Sequence, residues 1–102
     1  QGLTYQERGT DSLSNLYNMK LENKTADTFY LTLKVKNIYK AVEMVGAENI
    51  MVLPEAQKSN NFFIVLPKAM LKNGKNEIDL EIYNGTELMD VKSTTFLAPM
   101  QF

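Results

Sequence analysis

The sequence contains no cysteine, no histidine and no tryptophan. Without cysteine, disulfides, thiol nucleophiles and thiolate-held metals are excluded. Without histidine, the commonest general base near neutral pH and the commonest metal ligand are both missing. No run of about 18 apolar residues occurs, so no segment reads as a membrane-spanning helix. No leader-type segment is read at the start either. A dominant charge is lacking too: eleven basic residues stand against twelve acidic ones, a net charge of −1. The basic stripe that a phosphate backbone needs is therefore absent, and nucleic acid is excluded as a partner.

What is present is an ordinary globular composition. The chain has 102 residues, 44% hydrophobic and 23% charged. That is enough apolar surface for one packed core, so residues 1–102 read as a single domain.

Alternation is the main organising signal. Tyr17-Asn18-Met19-Lys20-Leu21-Glu22, Phe29 to Lys36 and Ile78 to Ile82 each place apolar and polar residues in turn. A period of two puts one set of side chains on a buried face and the other in water, as in antiparallel sheets with one wet side. The expected core is Tyr17, Met19, Leu21, Phe29, Leu31, Leu33, Val35, Ile78, Leu80 and Ile82. Shorter strands are read at Leu3–Arg8, Ala41–Val45, Asn49–Leu53, Phe62–Leu66 and Leu88–Phe96. Asn84-Gly85 marks a tight hairpin with positive φ. Asn73-Gly74 ends the connection from Pro67, and residues 9–12, 23–27 and 54–56 read as turns. Short strands punctuated this often predict an all-β fold, an immunoglobulin-like antiparallel β-sandwich of seven or eight strands. Ile38, Val42 and Val45 also fit one face of a short helix, with Gly46 as its C-cap; two strands are the preferred reading of residues 41–53.

Little here can carry chemistry. Asp79 and Glu81 share one strand face, a pairing that can serve acid–base work or bind calcium, but alternation alone explains both as a solvated face. Glu43, Glu48 and Glu55 are scattered. Ser12, Ser14, Ser59 and Ser93 lie in no nucleophile elbow, and no phosphate loop is present. Asn23-Lys24-Thr25 and Asn84-Gly85-Thr86 match the glycosylation sequon, yet both fall where turn residues are expected. The six methionines form no M-x-x-M cluster, so no redox metal site is expected. The aromatics Phe62, Phe63 and Tyr39 are the candidate interaction surface. Phe62 and Phe63 cannot face the same way on a strand, so one of them needs cover. That cover is a loop such as Pro67–Lys75, a neighbouring domain, a protein partner or a second copy.

Two stretches carry a family resemblance. One is Arg8-Gly9 with Leu13-Ser14-Asn15-Leu16-Tyr17-Asn18-Met19-Lys20-Leu21-Glu22-Asn23-Lys24-Thr25; the other is Ser93-Thr94-Thr95-Phe96-Leu97-Ala98-Pro99. Together they resemble the immunoglobulin-like C-terminal domain of the FixG/CcoG family, membrane-bound polyferredoxin proteins accessory to assembly of the cbb-type cytochrome oxidase. The matching positions are Asn15, Tyr17, Asn23, Phe96 and Pro99, and Ala98 stands where the family usually has glycine. The residues themselves suggest structural roles: Tyr17 on a buried face, Asn15 and Asn23 satisfying free backbone groups, Phe96 plugging the core. The resemblance implies that the domain is part of a larger bacterial membrane protein, on the periplasmic side, packed on a neighbouring domain or a protein partner. It also implies iron–sulfur clusters and copper handling in that parent, and contact with the membrane only through the parent's transmembrane helices. No cluster ligand carries over to this chain. The rival reading is a free-standing binding module, of adhesin or carbohydrate-binding type, on the same fold.

Overall fold

The computed structural model describes residues 5–46 and 49–100. Leu3 and Thr4, expected to open the first strand, and Glu48 lie outside the described residues. Among the described residues eight strands run in chain order: β1 (Tyr5–Arg8), β2 (Ser12–Glu22), β3 (Phe29–Val35), β4 (Val42–Met44), β5 (Ile50–Val52), β6 (Gln57–Pro67), β7 (Lys75–Asn84) and β8 (Glu87–Leu97). A 3₁₀ turn, Lys68–Met70, separates β6 from β7.

The strands form two antiparallel sheets of four, ordered β1-β2-β6-β4 and β5-β3-β7-β8. This is the expected immunoglobulin-like sandwich. From β2 onward the chain changes sheet at every step until the β7–β8 hairpin, so each sheet depends on residues far apart in sequence. Residues 41–53 are indeed two strands and not a helix, but they do not pair with each other. β4 joins β6 in the first sheet, and β5 joins β3 in the second. The chain therefore changes sheet between Met44 and Ile50.

The strands β2, β3, β5, β6 and β7 bury one phase of their alternation, and β8 contributes Phe96. Leu13, Leu21, Leu31, Leu33, Val35, Ile50, Val52, Phe62, Ile64, Leu66, Leu80, Ile82 and Phe96 form the core. Six of the ten residues expected there are fully buried; Tyr17, Met19, Phe29 and Ile78 are half-buried and pack against its edge. These four sit near strand ends or opposite β8, where the facing sheet runs out. β6 begins at Gln57, earlier than its apolar run suggests, because β2 pairs with it along its whole length, from Ser12↔Pro67 to Glu22↔Gln57.

The β7–β8 turn is a two-residue loop of Gly85 and Thr86 between the paired Asn84 and Glu87. Gly85 has φ 63° and Thr86 does not enter the positive-φ region, which matches a type II′ turn with glycine first. The ladder shifts register between Ile82 and Tyr83, where Met89 is the extra residue on β8.

Candidate functional site

The two stretches of sequence that carry the family resemblance meet in space. On β2 the odd-numbered residues face the interior, so Asn15 and Tyr17 point inward among apolar neighbours. A polar group placed there must find partners. Asn15, 3% exposed, uses both ends of its amide on one residue of β8: its Nδ2 donates to Leu97 O at 3.0 Å, and Leu97 N–H donates to its Oδ1 at 2.7 Å. Two residues on, the Tyr17 hydroxyl donates to Thr95 O at 2.8 Å. The Tyr17 ring stacks on Phe62, centroids 5.5 Å apart and planes 15° from parallel. Burial pushes its phenol well above the ordinary tyrosine range, so it stays a donor at any physiological pH.

The reason for this arrangement lies in the sheet order. β8 is an edge strand, and every second residue directs its N–H and C=O away from β7 with no strand to receive them. Asn15 and Tyr17 reach from the opposite sheet and satisfy those groups. They stitch the two sheets together and close that part of the edge. Phe96, between the two bonded residues, points inward and is fully buried. The chain then continues along Gly74: Ala98 N–H donates to Gly74 O at 2.8 Å, and Gly74 N–H to Pro99 O at 3.1 Å. Ala98 does not adopt positive φ, so alanine fits at this position without backbone strain. Gly74 itself does, at φ 83°.

Asn23 does comparable work at the end of β2. It is 1% exposed. Its Oδ1 accepts from Thr25 N–H at 2.9 Å and from the Thr25 hydroxyl at 2.7 Å. Its Nδ2 donates to Asp27 O at 2.6 Å and Val52 O at 3.0 Å, tying the turn to β5 in the other sheet. With its amide fully engaged, this sequon asparagine is a turn organiser and is closed to glycosylation in the folded state.

The aromatic candidates fall into three environments. Phe62 is 1% exposed and belongs to the core, which removes it from any interaction surface. Phe63 lies on the outer face of the first sheet, paired with Leu16. Its cover is not the Pro67–Lys75 segment but Arg8, whose guanidinium sits 4.8 Å from the ring centroid. Arg8 also donates to Ser14 Oγ at 3.1 Å and to both oxygens of Glu43, at 3.3 and 2.9 Å. It thus spans the face from β1 to β4. Those hydrogen bonds hold the Glu43 carboxyl below the usual range. Tyr39 stands in the β3–β4 connection, 86% exposed, with Lys40 Nζ 5.4 Å from its ring.

Asp79 and Glu81 share the outer face of β7, and each has a hydrogen-bond donor. Ser93 donates to Asp79 at 3.0 Å and Tyr83 to Glu81 at 3.1 Å. Among the described residues no group of three or more acidic side chains is placed to hold a metal ion.

Two surfaces escaped the reading of the sequence. The outer face of the second sheet exposes Tyr30 and Met51, directly paired, with Leu88 paired to Tyr83 and Leu53 just beyond β5. The signal was an aromatic, Tyr30, in the water-facing phase of β3. The other surface is an open cleft of about 260 Å³ between the ends of β2 and β8. Leu21, Phe29, Leu31 and Ile82 form its floor, and Lys20, Glu22, Asp90 and Lys92 its rim. It needs contacts between sheets and has no sequence signature.

Comparison with curated proteins finds no match. A protein family described as "IG-like fold at C-terminal of FixG, putative oxidoreductase" matches residues 1–99. Nearly the whole chain is covered, including both stretches that meet at the Asn15–Leu97 clamp, and the chain belongs to this family of immunoglobulin-like domains from the C-terminus of FixG.

Proposed function

We propose that the domain is a non-catalytic docking module of a membrane-bound polyferredoxin-type protein of the FixG kind. In this reading it stands on the periplasmic side of the bacterial inner membrane. The parent's iron–sulfur clusters and transmembrane helices lie elsewhere in that protein, and the parent assists cytochrome oxidase assembly and copper handling. The domain's part is to hold a neighbouring domain or a protein partner through a sheet face.

The observation that carries the reading is the outer face of the second sheet. Tyr30, Met51, Leu53 and Leu88 are each at least 43% exposed there, on the side of the four-stranded sheet turned away from the first sheet. Exposed apolar side chains gathered on one face mark interaction surfaces. A sandwich filled by its own side chains offers surfaces of this kind more readily than an enclosed pocket.

The test uses the full-length parent in its own membrane. Tyr30→Ser with Leu88→Ser should leave the domain's melting temperature within a few degrees and lower the amount of assembled oxidase. Normal assembly with this doubly substituted face would refute the docking surface. Sidedness has a separate test, because this chain contributes no cysteine of its own. Thr86→Cys in the β7–β8 loop should be labelled by a membrane-impermeant maleimide from the periplasmic side, and labelling only after membrane disruption would refute the location.

A further inference from the structure

The free edge of β8 is closed by side chains at its C-terminal end and at the Val91 N–H, and the closure leaves an opening between them. Leu97 and Thr95 direct backbone groups outward and are met by Asn15 and Tyr17. Further back, Val91 N–H also points outward and donates to Asp90 Oδ1 at 2.8 Å. Residues 91, 93, 95 and 97 thus form the outward row of an antiparallel ladder. Ser93 belongs to that row, and among the described residues no side chain meets its N–H or C=O. The opening runs from Val91 C=O through Ser93 to Thr95 N–H.

We propose that this stretch is a homotypic docking edge, taken by β8 of a second copy of this chain. Charge complementarity selects the occupant. Asp90 and Lys92 lie opposite Ile82 and Leu80, the two buried residues of β7, so both stand on the inward side of β8 at the mouth of the cleft. Charges placed inward on an edge strand deter most incoming strands. An antiparallel pairing about a two-fold axis at Val91 is the exception. It sets Asp90 opposite Lys92 of the second copy and repeats the match on the other side of the axis. Cross-strand positions of this kind bring side chains close enough to form ion pairs. Within one chain the two groups are poorly matched, with Lys92 Nζ 4.0 Å from Asp90 Oδ2. Pairing at Val91 asks Asp90 to leave the Val91 N–H, which then donates to the carbonyl of the second Val91. Asp90 therefore acts as a gate: it caps the edge in the monomer and bridges it in the dimer. In this register Ser93 falls opposite the Met89 bulge of the second copy, so the backbone bonds of the pairing are those between the two Val91 residues, which engage the open Val91 C=O; the interface is short and its occupation depends on concentration.

The experiment is sedimentation of the chain from micromolar to millimolar concentration, on the wild type and on charge-swapped variants. The wild type should dimerise within that range. Asp90→Lys and Lys92→Asp each replace two attractions by two repulsions and should weaken association about tenfold or more. Asp90→Lys combined with Lys92→Asp should restore it to within about threefold of wild type, since the double swap rebuilds both pairs. Val91→Pro removes only an outward N–H, which an edge strand tolerates, and should abolish association while the thermal melt remains cooperative. A wild type that stays monomeric up to about 1 mM, where binding free energy falls to about −4 kcal/mol, would overturn the proposal. So would single swaps that associate as tightly as wild type. The edge and the Tyr30 face are different surfaces, so failure here leaves the docking reading to its own test.

Discussion

Replacing Asn15 separates a bonded inter-sheet clamp from a merely well-packed polar residue. Asn15→Ala removes both hydrogen bonds to Leu97. Each is worth about 0.5–1.5 kcal/mol net, and a backbone pair left without partners in a mostly buried setting adds about 1–3 kcal/mol. The variant should lose about 2–6 kcal/mol, read from urea or thermal unfolding, with the melt remaining cooperative. Asn15→Asp makes the sharper test. One carboxylate oxygen can still accept from Leu97 N–H, but the other then faces Leu97 C=O, where Nδ2 donated before. The charged form is disfavoured by that repulsion and by burial, and the protonated form can donate to the carbonyl. The folded-state pKa of the introduced carboxyl therefore rises above its unfolded value. The stabilising contribution is fully present below the unfolded pKa and disappears as pH rises through the folded one. The aspartate variant should be weaker than wild type at pH 7 and recover on acidification, relative to the alanine variant at the same pH. A loss below about 0.5 kcal/mol for Asn15→Ala, or an aspartate variant whose deficit does not shrink at low pH, would refute the clamp.

Tyr17→Phe keeps the ring stacked on Phe62 and deletes one bond to Thr95 O, so it should cost about 1 kcal/mol by chemical denaturation; a cost near that of Tyr17→Ala would show the hydroxyl to be more than a single bond. Leu80→Ala and Leu31→Ala, both in the core, should each lose about 2–5 kcal/mol in thermal melts, and losses under about half a kilocalorie would misplace the core. Asn23→Ala releases the 23–27 turn from β5 and should cost about 1–3 kcal/mol, measured with Thr25→Ala alongside to separate the turn from the sheet contact. Titration of the chain with cuprous ion against a competing chelator should show no submicromolar stoichiometric site, since neither cysteine nor histidine is available and the methionines are dispersed.

The residues expected to serve the family motif proved easier to read than those expected to meet a partner. A buried asparagine in an apolar strand announces that it needs bonds, because an unpaired amide is costly wherever the fold puts it. It does not announce which backbone will supply them: Leu97 is 82 residues away in sequence. Phe62 and Phe63 declared that one of them must face outward, yet nothing local said which, and nothing placed Arg8 over Phe63. That cover depends on β1 and β4 lying at opposite edges of one sheet, with Arg8 long enough to cross between them.

Local chemistry by itself determined the strand phases, the β7–β8 hairpin and the sandwich class. Side-chain alternation and glycine's freedom at positive φ act within a few residues, so they are written into the order of the chain. The tertiary structure alone decided which strands pair and which edges stay open. β8 pairs with β7 alone and so stands at an edge, and an edge strand must satisfy its outward backbone groups with whatever lies across from it. Asn15, Tyr17 and Asp90 do so, and between them they leave Ser93 uncapped. Such complementarity between distant segments arises only when the sheets are stacked, because hydrogen bonds of this kind depend on distance in space and not on separation along the sequence.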